Sequence, residues 1–128
     1  MKIQKASERQ FKQLFSSRTN EQYSQSHVIS EALETKEIFL SIEVLRPRSC
    51  SSAPHFHLET DEIVYVLRGE VVAIEGDTEV TLQEGDCALF QAGSNRPHVL
   101  QNRSEEREAH VLVIRKPTQT NDAVFATP

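Results

Sequence analysis

Apolar residues occupy every second position through much of the middle of the chain. In residues 38–45, one face of a strand would carry Ile38, Leu40, Ile42 and Val44, and the other would carry Phe39, Ser41, Glu43 and Leu45. A period of two predicts a β-strand, because successive side chains point to opposite faces of a sheet. The strand is predicted to end at Arg46-Pro47, since proline cannot donate to a β-ladder.

Six further strands are predicted after this one, over residues 62–67, 70–75, 78–83, 87–91, 98–102 and 109–115. Turn-forming residues such as Arg68-Gly69 and Gly76-Asp77 separate them. No helical pattern of useful length interrupts the series. Many short strands with regular turns predict an all-β sandwich or barrel, because such a sheet must close or double up to protect its edges.

The two ends of the chain differ from this middle part, so we divide it into residues 1–26, 27–116 and 117–128. In the first segment, Ser7 to Gln10 resembles a capping box, and Phe11, Leu14 and Phe15 have helical spacing. This predicts a short amphipathic helix that docks on its own domain or, as a second reading, on a partner. The last segment reads as a tail whose Val124 and Phe125 rest on the domain or on a second subunit.

Size and charge exclude several classes of protein. A chain of 128 residues fits one domain. With 14 Lys and Arg against 19 Asp and Glu, its net charge is −5, which argues against a nucleic-acid partner. The apolar runs are too short to span a membrane or to serve as a secretory signal, so a cytoplasmic location is expected. Cys50 and Cys87 have no CxxC partner and read as two small thiols.

The candidate chemistry lies between Pro54 and Gly69. His55 and His57 are two residues apart, so a strand would point both imidazoles to one side. If the chain bends at Thr60-Asp61, the next strand starts at Glu62 and can return its carboxylate to the same point. Imidazole nitrogen and carboxylate oxygen are both ligands of divalent metal ions.

The remaining histidines offer a fourth ligand. His98 is the best candidate, because it begins a strand after a loop in which Gly93 permits a sharp turn. His27 and His110 lie in ordinary strand-like surroundings, and we predict a structural role for both.

These residues resemble the two motifs of the cupin superfamily. His55-x-His57-x4-Glu62-x6-Gly69 matches the first motif, and Gly85 through Ala92-Gly93 to His98 and Asn102 matches a modified second motif. Ser49 and Gln91 replace a glycine and a proline of the family pattern, and four residues, 94–97, stand between Gly93 and His98 where two are commoner. The resemblance implies a double-stranded β-helix, or jelly-roll barrel, that holds a metal with His55, His57, Glu62 and His98. It also implies a homodimer.

The expected cofactor is one divalent ion, which the ligand types leave open among Fe, Mn, Ni, Zn and Cu. The first hypothesis is a metal-dependent, dioxygenase-like enzyme that acts on a small organic molecule in the barrel. Alternatives are a sugar isomerase-like activity, a non-catalytic module that binds a sugar or small acid, and a purely structural metal. Arg48 and Arg96 are candidates for binding an anionic substrate. No acid or base for catalysis is evident.

Overall fold

The structure is a computed structural model that describes residues 1–117 and 121–126. A 3-10 helix covers Ala6–Glu8 and a short α-helix, α1, covers Ile29–Ala32. The strands of the described residues are β1 (Lys12–Phe15), β2 (Gln22–Val28), β3 (Phe39–Leu45), β4 (Ser49–Cys50), β5 (His55–His57), β6 (Glu62–Arg68), β7 (Glu70–Glu75), β8 (Thr78–Gln83), β9 (Cys87–Phe90), β10 (His98–Asn102), β11 (Ala109–Arg115) and β12 (Ala123–Phe125).

The strands form two antiparallel sheets. The first has the order β1-β2-β3-β11-β6-β9, and the second has the order β12-β5-β10-β7-β8, with β4 paired to β10. Consecutive strands such as β5 and β6 lie in different sheets, so the chain passes back and forth between them. This is the predicted jelly-roll architecture, and it confirms the all-β class.

The hydrophobic core adjoins the candidate site, since core residues Val64, Phe90 and Leu100 also line the cavity beside it. On β6, Val64 and Val66 are buried while Tyr65 and Leu67 are exposed, as the alternation predicts. The buried cluster is made of Leu45, Val64, Val66, Val71, Ala73, Leu82, Phe90, Leu100, Ala109 and Val111.

The seven predicted strands are all present, with bounds that agree to within two residues. The turn at Gly69 is also confirmed. This residue has φ +80°, and an added Cβ would lie 2.6 Å from the carbonyl oxygen of Glu108. A side chain at that position would therefore collide with the neighbouring backbone.

The N-terminal segment is helical only over Ala6–Glu8, and the prediction that helix continues to Phe15 is wrong. Ser7 lies inside the 3-10 helix rather than capping it, and Glu8 accepts a hydrogen bond from the backbone N–H of Lys5 at 3.3 Å. Residues Lys12–Phe15 form β1, which pairs with β2. An isolated helix of this length is marginal, whereas the sheet edge offers backbone partners at once.

The C-terminal segment adds a strand to the second sheet. In β12, Val124 pairs with Phe56 and Phe125 pairs with His55, so both residues rest on the domain, as one of the two readings predicts. Of the predicted tail, residues 118–120 and 127–128 lie outside the described part of the chain. Across the described residues, none of the helices has the length and apolar character needed to cross a bilayer.

Candidate metal centre

Four side chains from three strands meet inside the barrel. His55 and His57 come from β5, Glu62 from the start of β6 and His98 from the start of β10. Each offers one ligand atom, and the four atoms all lie within 4.8 Å of one another. Two ligands on opposite sides of a divalent ion are about 4.2 Å apart when each bond is about 2.1 Å. The cluster is therefore close to the size of a metal-binding site.

Hydrogen bonds between two loops of the chain place these residues. The backbone of His57 is fixed by Gly93, whose N–H donates to the carbonyl oxygen of His57 at 2.7 Å. The chain bends between β5 and β6, but at Leu58 and Glu59 and not at the predicted Thr60-Asp61. Asp61 accepts a hydrogen bond from the N–H of Ala92 at 2.9 Å. These bonds tie the β5–β6 connection to the loop before β10, so the longer loop still delivers His98 to the cluster.

Asp122 completes the site from the C-terminal segment, 65 residues after His57. Its Oδ1 lies 2.8 Å from Nδ1 of His57, and its Oδ2 accepts hydrogen bonds from the N–H groups of Glu59 and Thr60 and from the hydroxyl of Thr60. The pKa of Asp122 falls to about 2, because these donors outweigh the effect of burial. An ionised Asp122 keeps the proton of His57 on Nδ1 and leaves Nε2 as a ligand atom.

The Nε2 atom of His57 is the observation that tests whether a metal fits. Among the described residues it has no hydrogen-bond partner although it is buried, and the nearest carboxylate oxygen, Oε1 of Glu62, lies 3.5 Å away. A buried nitrogen without a partner is costly. A cation bound between these two atoms would satisfy both.

The carboxylate of Glu62 is kept in its ionised form, which favours binding of a cation. Burial alone would raise the pKa of Glu62, but its contacts with His57 and His98 hold that pKa well below its ordinary value. Nε2 of His98 lies 2.9 Å from Oε2 of Glu62. The nearby Glu62 carboxylate in turn raises the pKa of His57 against the effect of burial, with Asp122 acting in the same direction.

His55 and His98 are held by different means. Nδ1 of His55 donates to the carbonyl oxygen of Ala53 at 3.0 Å, which leaves its Nε2 to face the cluster. Burial lowers the pKa of His55 and so favours the neutral imidazole that metals require. The ring of His98 stacks on Phe90 with 4.0 Å between centroids and 5° between planes.

A cavity of about 250 Å³ opens beside the cluster. It is lined by Leu14, Ser26, Phe39, Ser41, Glu43, Ser51, Ser52, His55, Glu62, Val64, Phe90, His98, Leu100, Val113 and Arg115. Its volume lies just below the range of about 300–1,000 Å³ that is usual for ligand sites. The occupant is therefore smaller than a drug-sized molecule.

Two charged residues in this cavity are absent from the sequence prediction. Glu43 lies on the inward face of β3 and is 9% exposed. Arg115 ends β11, where its guanidinium carbon lies 3.8 Å above the ring centroid of Phe39 and its Nε lies 4.0 Å from Oε1 of Glu62. An inward acid and an inward cation are therefore both present.

The two arginines predicted to bind substrate lie elsewhere. Arg48 is exposed and pairs with Glu105 at 2.7 Å. Arg96 is exposed, and its side chain lies against Gly76 and near the hydroxyl of Thr78. Neither belongs to the cavity lining, so contact of either with a ligand stays a prediction.

The other two histidines lie apart from the metal-binding cluster. His27 is buried, with Nδ1 3.1 Å from the carbonyl oxygen of Gln10 and Nε2 2.7 Å from Oε1 of Gln4, which confirms its structural role. Nε2 of His110 is also buried without a hydrogen-bond partner among the described residues, but it lies 3.6 Å from Oε1 of Glu108 and is not one of the four clustered ligand atoms. Cys50 and Cys87 are both free thiols.

Comparisons with known proteins agree with this geometry. A model of the Cupin domain family matches residues 41–115. A sugar phosphate isomerase from a cupin superfamily, from Silicibacter pomeroyi, has a similar structure, with TM-score 0.76 and 30% sequence identity over 82% of this chain. This chain spans 66% of that protein's length, just under two thirds. None of the curated proteins matches the chain.

Two more distant structures share the fold. A predicted oxalate decarboxylase from Thermotoga maritima has TM-score 0.74 and 21% identity over 91% of this chain and 100% of its own. The polyketide cyclase RemF from Streptomyces resistomycificus has TM-score 0.76 and 16% identity over 99% of this chain and 87% of its own. Such different activities on one fold mean that the activity must be argued from the site.

Proposed function

The chain belongs to the cupin family, and from this premise we propose that it is a metal-dependent enzyme acting on a small organic molecule inside the barrel. The observation that carries the proposal is the buried Nε2 of His57, which lies without a hydrogen-bond partner among the described residues and faces the carboxylate of Glu62. His55 and His98 complete a set of three nitrogens and one oxygen. This set suits Fe, Mn, Ni, Zn or Cu.

The protein residues would leave part of the ion available to a substrate. Four protein ligands occupy four of the six positions of an octahedral ion, and the cavity beside the cluster gives access to the others. An ion bound there would act as a Lewis acid on a substrate carbonyl or hydroxyl oxygen. Around it, Phe90, Val113 and Leu100 exclude water, and Arg115 gives the cavity a positive charge at one side.

An isomerase-like reaction on a small anionic sugar derivative is the activity that these features favour. The sugar phosphate isomerase from Silicibacter pomeroyi supports this choice by its 30% identity, and the inward Glu43 and Arg115 support it independently. A dioxygenase-like reaction is the second candidate. It is favoured by the apolar walls of Val64, Phe90 and Val113, which would also suit a reaction with dioxygen beside the ion.

Metal analysis tests the core of the proposal. We expect about one divalent ion per purified chain, because the four ligand atoms can surround a single ion. The His57→Ala variant should lose that ion, whereas His110→Ala, which removes a histidine outside the cluster, should retain it. Full metal content in the His57→Ala protein would refute the four-ligand site.

A second measurement separates the two reactions. If the native metal is iron and the protein consumes oxygen with a candidate substrate, the dioxygenase reading holds. Turnover that continues under strict exclusion of oxygen would instead support isomerisation. A four-coordinate ion without water or substrate would contradict both and indicate a structural metal.

We also propose that the protein is a homodimer in the cytoplasm. The outer face of the first sheet exposes Ile63, Tyr65 and Leu67 on β6 beside Leu89 on β9, and a contiguous apolar face of this kind is typical of a contact between subunits. The free thiols of Cys50 and Cys87 fit a reducing compartment.

A further inference from the structure

Glu43 is a buried carboxylic acid whose immediate partners are hydroxyl groups. Oε2 accepts a hydrogen bond from Ser26 at 2.6 Å and Oε1 accepts one from Ser24 at 2.9 Å. Both serines belong to β2, which pairs with β3 so that Ser26 stands opposite Glu43. A buried acid with neutral partners is not held in its ionised form as Glu62 is.

The hydroxyl partners suit either protonation state of Glu43. Ser24 Oγ also lies 3.4 Å from the carbonyl oxygen of Ser51, so its single proton can point to Glu43 or to that carbonyl. In the second orientation, the Ser24 oxygen can accept a hydrogen bond from the O–H of a neutral Glu43. The cluster can therefore follow a proton transfer without rebuilding its hydrogen bonds.

The electrostatic setting points the same way. Burial raises the pKa of Glu43 above its ordinary value, the serine hydrogen bonds only partly oppose this, and the negative charge of Glu62 adds to the increase. Arg115 is the cation that lines the same cavity. A general acid or base works best when its pKa approaches the working pH.

Arg115 supplies the second recognition element. It stands in register with Phe39 on one neighbouring strand and with Glu62 on the other, so it lies beside the candidate metal. The 4.0 Å between its Nε and Glu62 is too long for a hydrogen bond, and the stack on Phe39 fixes the guanidinium plane. A guanidinium held in this way can bind a phosphate or carboxylate through paired hydrogen bonds.

We propose that Glu43 is a catalytic residue that moves a proton between neighbouring carbon atoms of a small anionic α-hydroxy carbonyl compound, and that Arg115 binds the anionic group. The proposal rests on the proposed metal-dependent function, because a bound ion is needed to hold the two neighbouring oxygens of such a compound. The cavity of about 250 Å³ limits the substrate to a small molecule.

The proposed reaction is balanced without an oxidant or reductant. The carboxylate of Glu43 takes the proton from the carbon next to the carbonyl group. The electrons of that C–H bond form a carbon–carbon double bond, and the carbonyl oxygen takes a proton from water. Glu43 then returns its proton to the former carbonyl carbon, while the neighbouring hydroxyl gives its proton back to the hydroxide so formed and becomes the new carbonyl. The product is an isomer of the substrate.

Deuterium exchange tests this proposal directly. The metal-loaded protein is incubated in D₂O with dihydroxyacetone phosphate or D-ribulose 5-phosphate, and incorporation at the carbon next to the carbonyl is measured by mass spectrometry. We expect exchange above the rate of the metal-free protein. Glu43→Gln should lower the rate by about 10²–10⁴-fold, the usual contribution of a general acid or base. Glu79→Gln, an exposed substitution of the same kind beside Arg103, should not lower it.

Arg115 is tested with a matched pair of probes. Arg115→Met should raise the KM for dihydroxyacetone phosphate by roughly 10–100-fold, the effect of losing a hydrogen-bonded charge. The KM for neutral dihydroxyacetone, which has no anionic group, should rise far less. An equal effect on both probes would overturn the assigned role of Arg115.

Metal content separates failure of this proposal from failure of the proposed function. If the wild-type protein binds no ion, the proposed function itself fails. If the ion is bound and neither phosphate probe exchanges, or if Glu43→Gln exchanges as fast as the wild type with its metal and fold intact, the role of Glu43 is overturned. Glu43→Asp keeps the carboxylic acid on a shorter side chain and should retain part of the exchange rate. It serves as a control in case the glutamine variant loses its rate through misfolding.

Discussion

Replacing Asp122 by asparagine should weaken metal binding although Asp122 does not itself face the ion. In the folded chain, Oδ2 of Asp122 accepts three hydrogen bonds, from the N–H groups of Glu59 and Thr60 and from the hydroxyl of Thr60, at 2.9–3.1 Å. Oδ1 lies 2.8 Å from Nδ1 of His57. An asparagine has one oxygen for these two tasks.

The amide of an asparagine would turn its oxygen towards the three donors, because an NH₂ group there would meet other donors. Its NH₂ would then face Nδ1 of His57, which would have to accept a hydrogen bond. The imidazole proton would move to Nε2, the atom that has to bind the metal. Loss of such an orienting partner typically costs about 10–100-fold in metal affinity, or about 1.4–2.8 kcal/mol. The forced change of tautomer places Asp122→Asn near the upper end.

The assay is competition for Zn²⁺ between the metal-stripped protein and a fluorescent chelator at neutral pH. Asp86→Asn is the matched control, because Asp86 accepts the N–H of Gln83 at 2.8 Å in the turn before β9 and touches none of the four ligands. The control should bind Zn²⁺ as the wild type does. An affinity of the folded Asp122→Asn protein within twofold of the wild type would refute the orienting role.

Three further results are expected. Chelation of the metal should lower the free energy of unfolding of the wild type by about 2.7 kcal/mol when the free metal was at a hundred times its Kd. It should leave the melting temperature of His57→Ala unchanged. An equal shift in both proteins would mean that the ion binds elsewhere. Burial raises the pKa of Glu43 in the folded protein above the ordinary 4.5, so the free energy of unfolding falls as the pH rises past 4.5. The loss is about 1.4 kcal/mol for each pKa unit by which folding raises the pKa of Glu43. In urea unfolding of metal-free protein, Glu43→Gln should therefore match the wild type near pH 4 and exceed it near pH 8, and a lower stability at pH 8 would contradict this. Ile63→Glu should dissociate the proposed dimer in sedimentation, while Val80→Glu, on exposed β8, should not; a dimer that survives Ile63→Glu would rule out this face.

The clustering of His55, His57, Glu62 and His98 could be predicted in large part because most of its signal is local. His55, His57 and Glu62 lie within eight positions, and the period-two pattern of β6 indicates that Glu62 shares a face with buried Val64. His98 follows from its position at the start of a strand. Strand geometry places His55 and His57 on one face, whereas Glu62 also needs the bend after β5, and the set of four was implied by the resemblance to the two cupin motifs.

Glu43 and Asp122 could not be found in this way, and Arg115 was missed. On β3, the polar residues Ser41 and Glu43 line the cavity, and aliphatic Ile42 lies on the opposite face, which reverses the usual expectation. For Arg115 there was a usable signal, because it follows Ala109, Val111 and Val113 at the same-face positions of β11. The position of Asp122 is set by tertiary packing of a C-terminal segment with no periodic pattern.

The N-terminal prediction was wrong for a different reason. Phe11, Leu14 and Phe15 fit a helical face, but three apolar positions do not outweigh the backbone pairing that β2 offers to residues Lys12–Phe15. Both patterns are compatible with so short a segment. The sheet edge therefore decided the conformation.

The surroundings of two carboxylates beside the metal-binding cluster assign them different roles. Against the effect of burial, the hydrogen bond with His57, followed by those from the Glu59 backbone N–H and the Thr60 side chain, holds the pKa of Asp122 at about 2, and the backbone donors cannot turn away. Such a group stays ionised and can only orient His57. Glu43 is bonded by serine hydroxyls that can either donate or accept, and burial raises its pKa. Environments that push two pKa values apart distinguish groups that stay charged from groups that transfer protons. By this criterion Asp122 orients His57 for metal binding, and Glu43 is the proposed proton-transfer group.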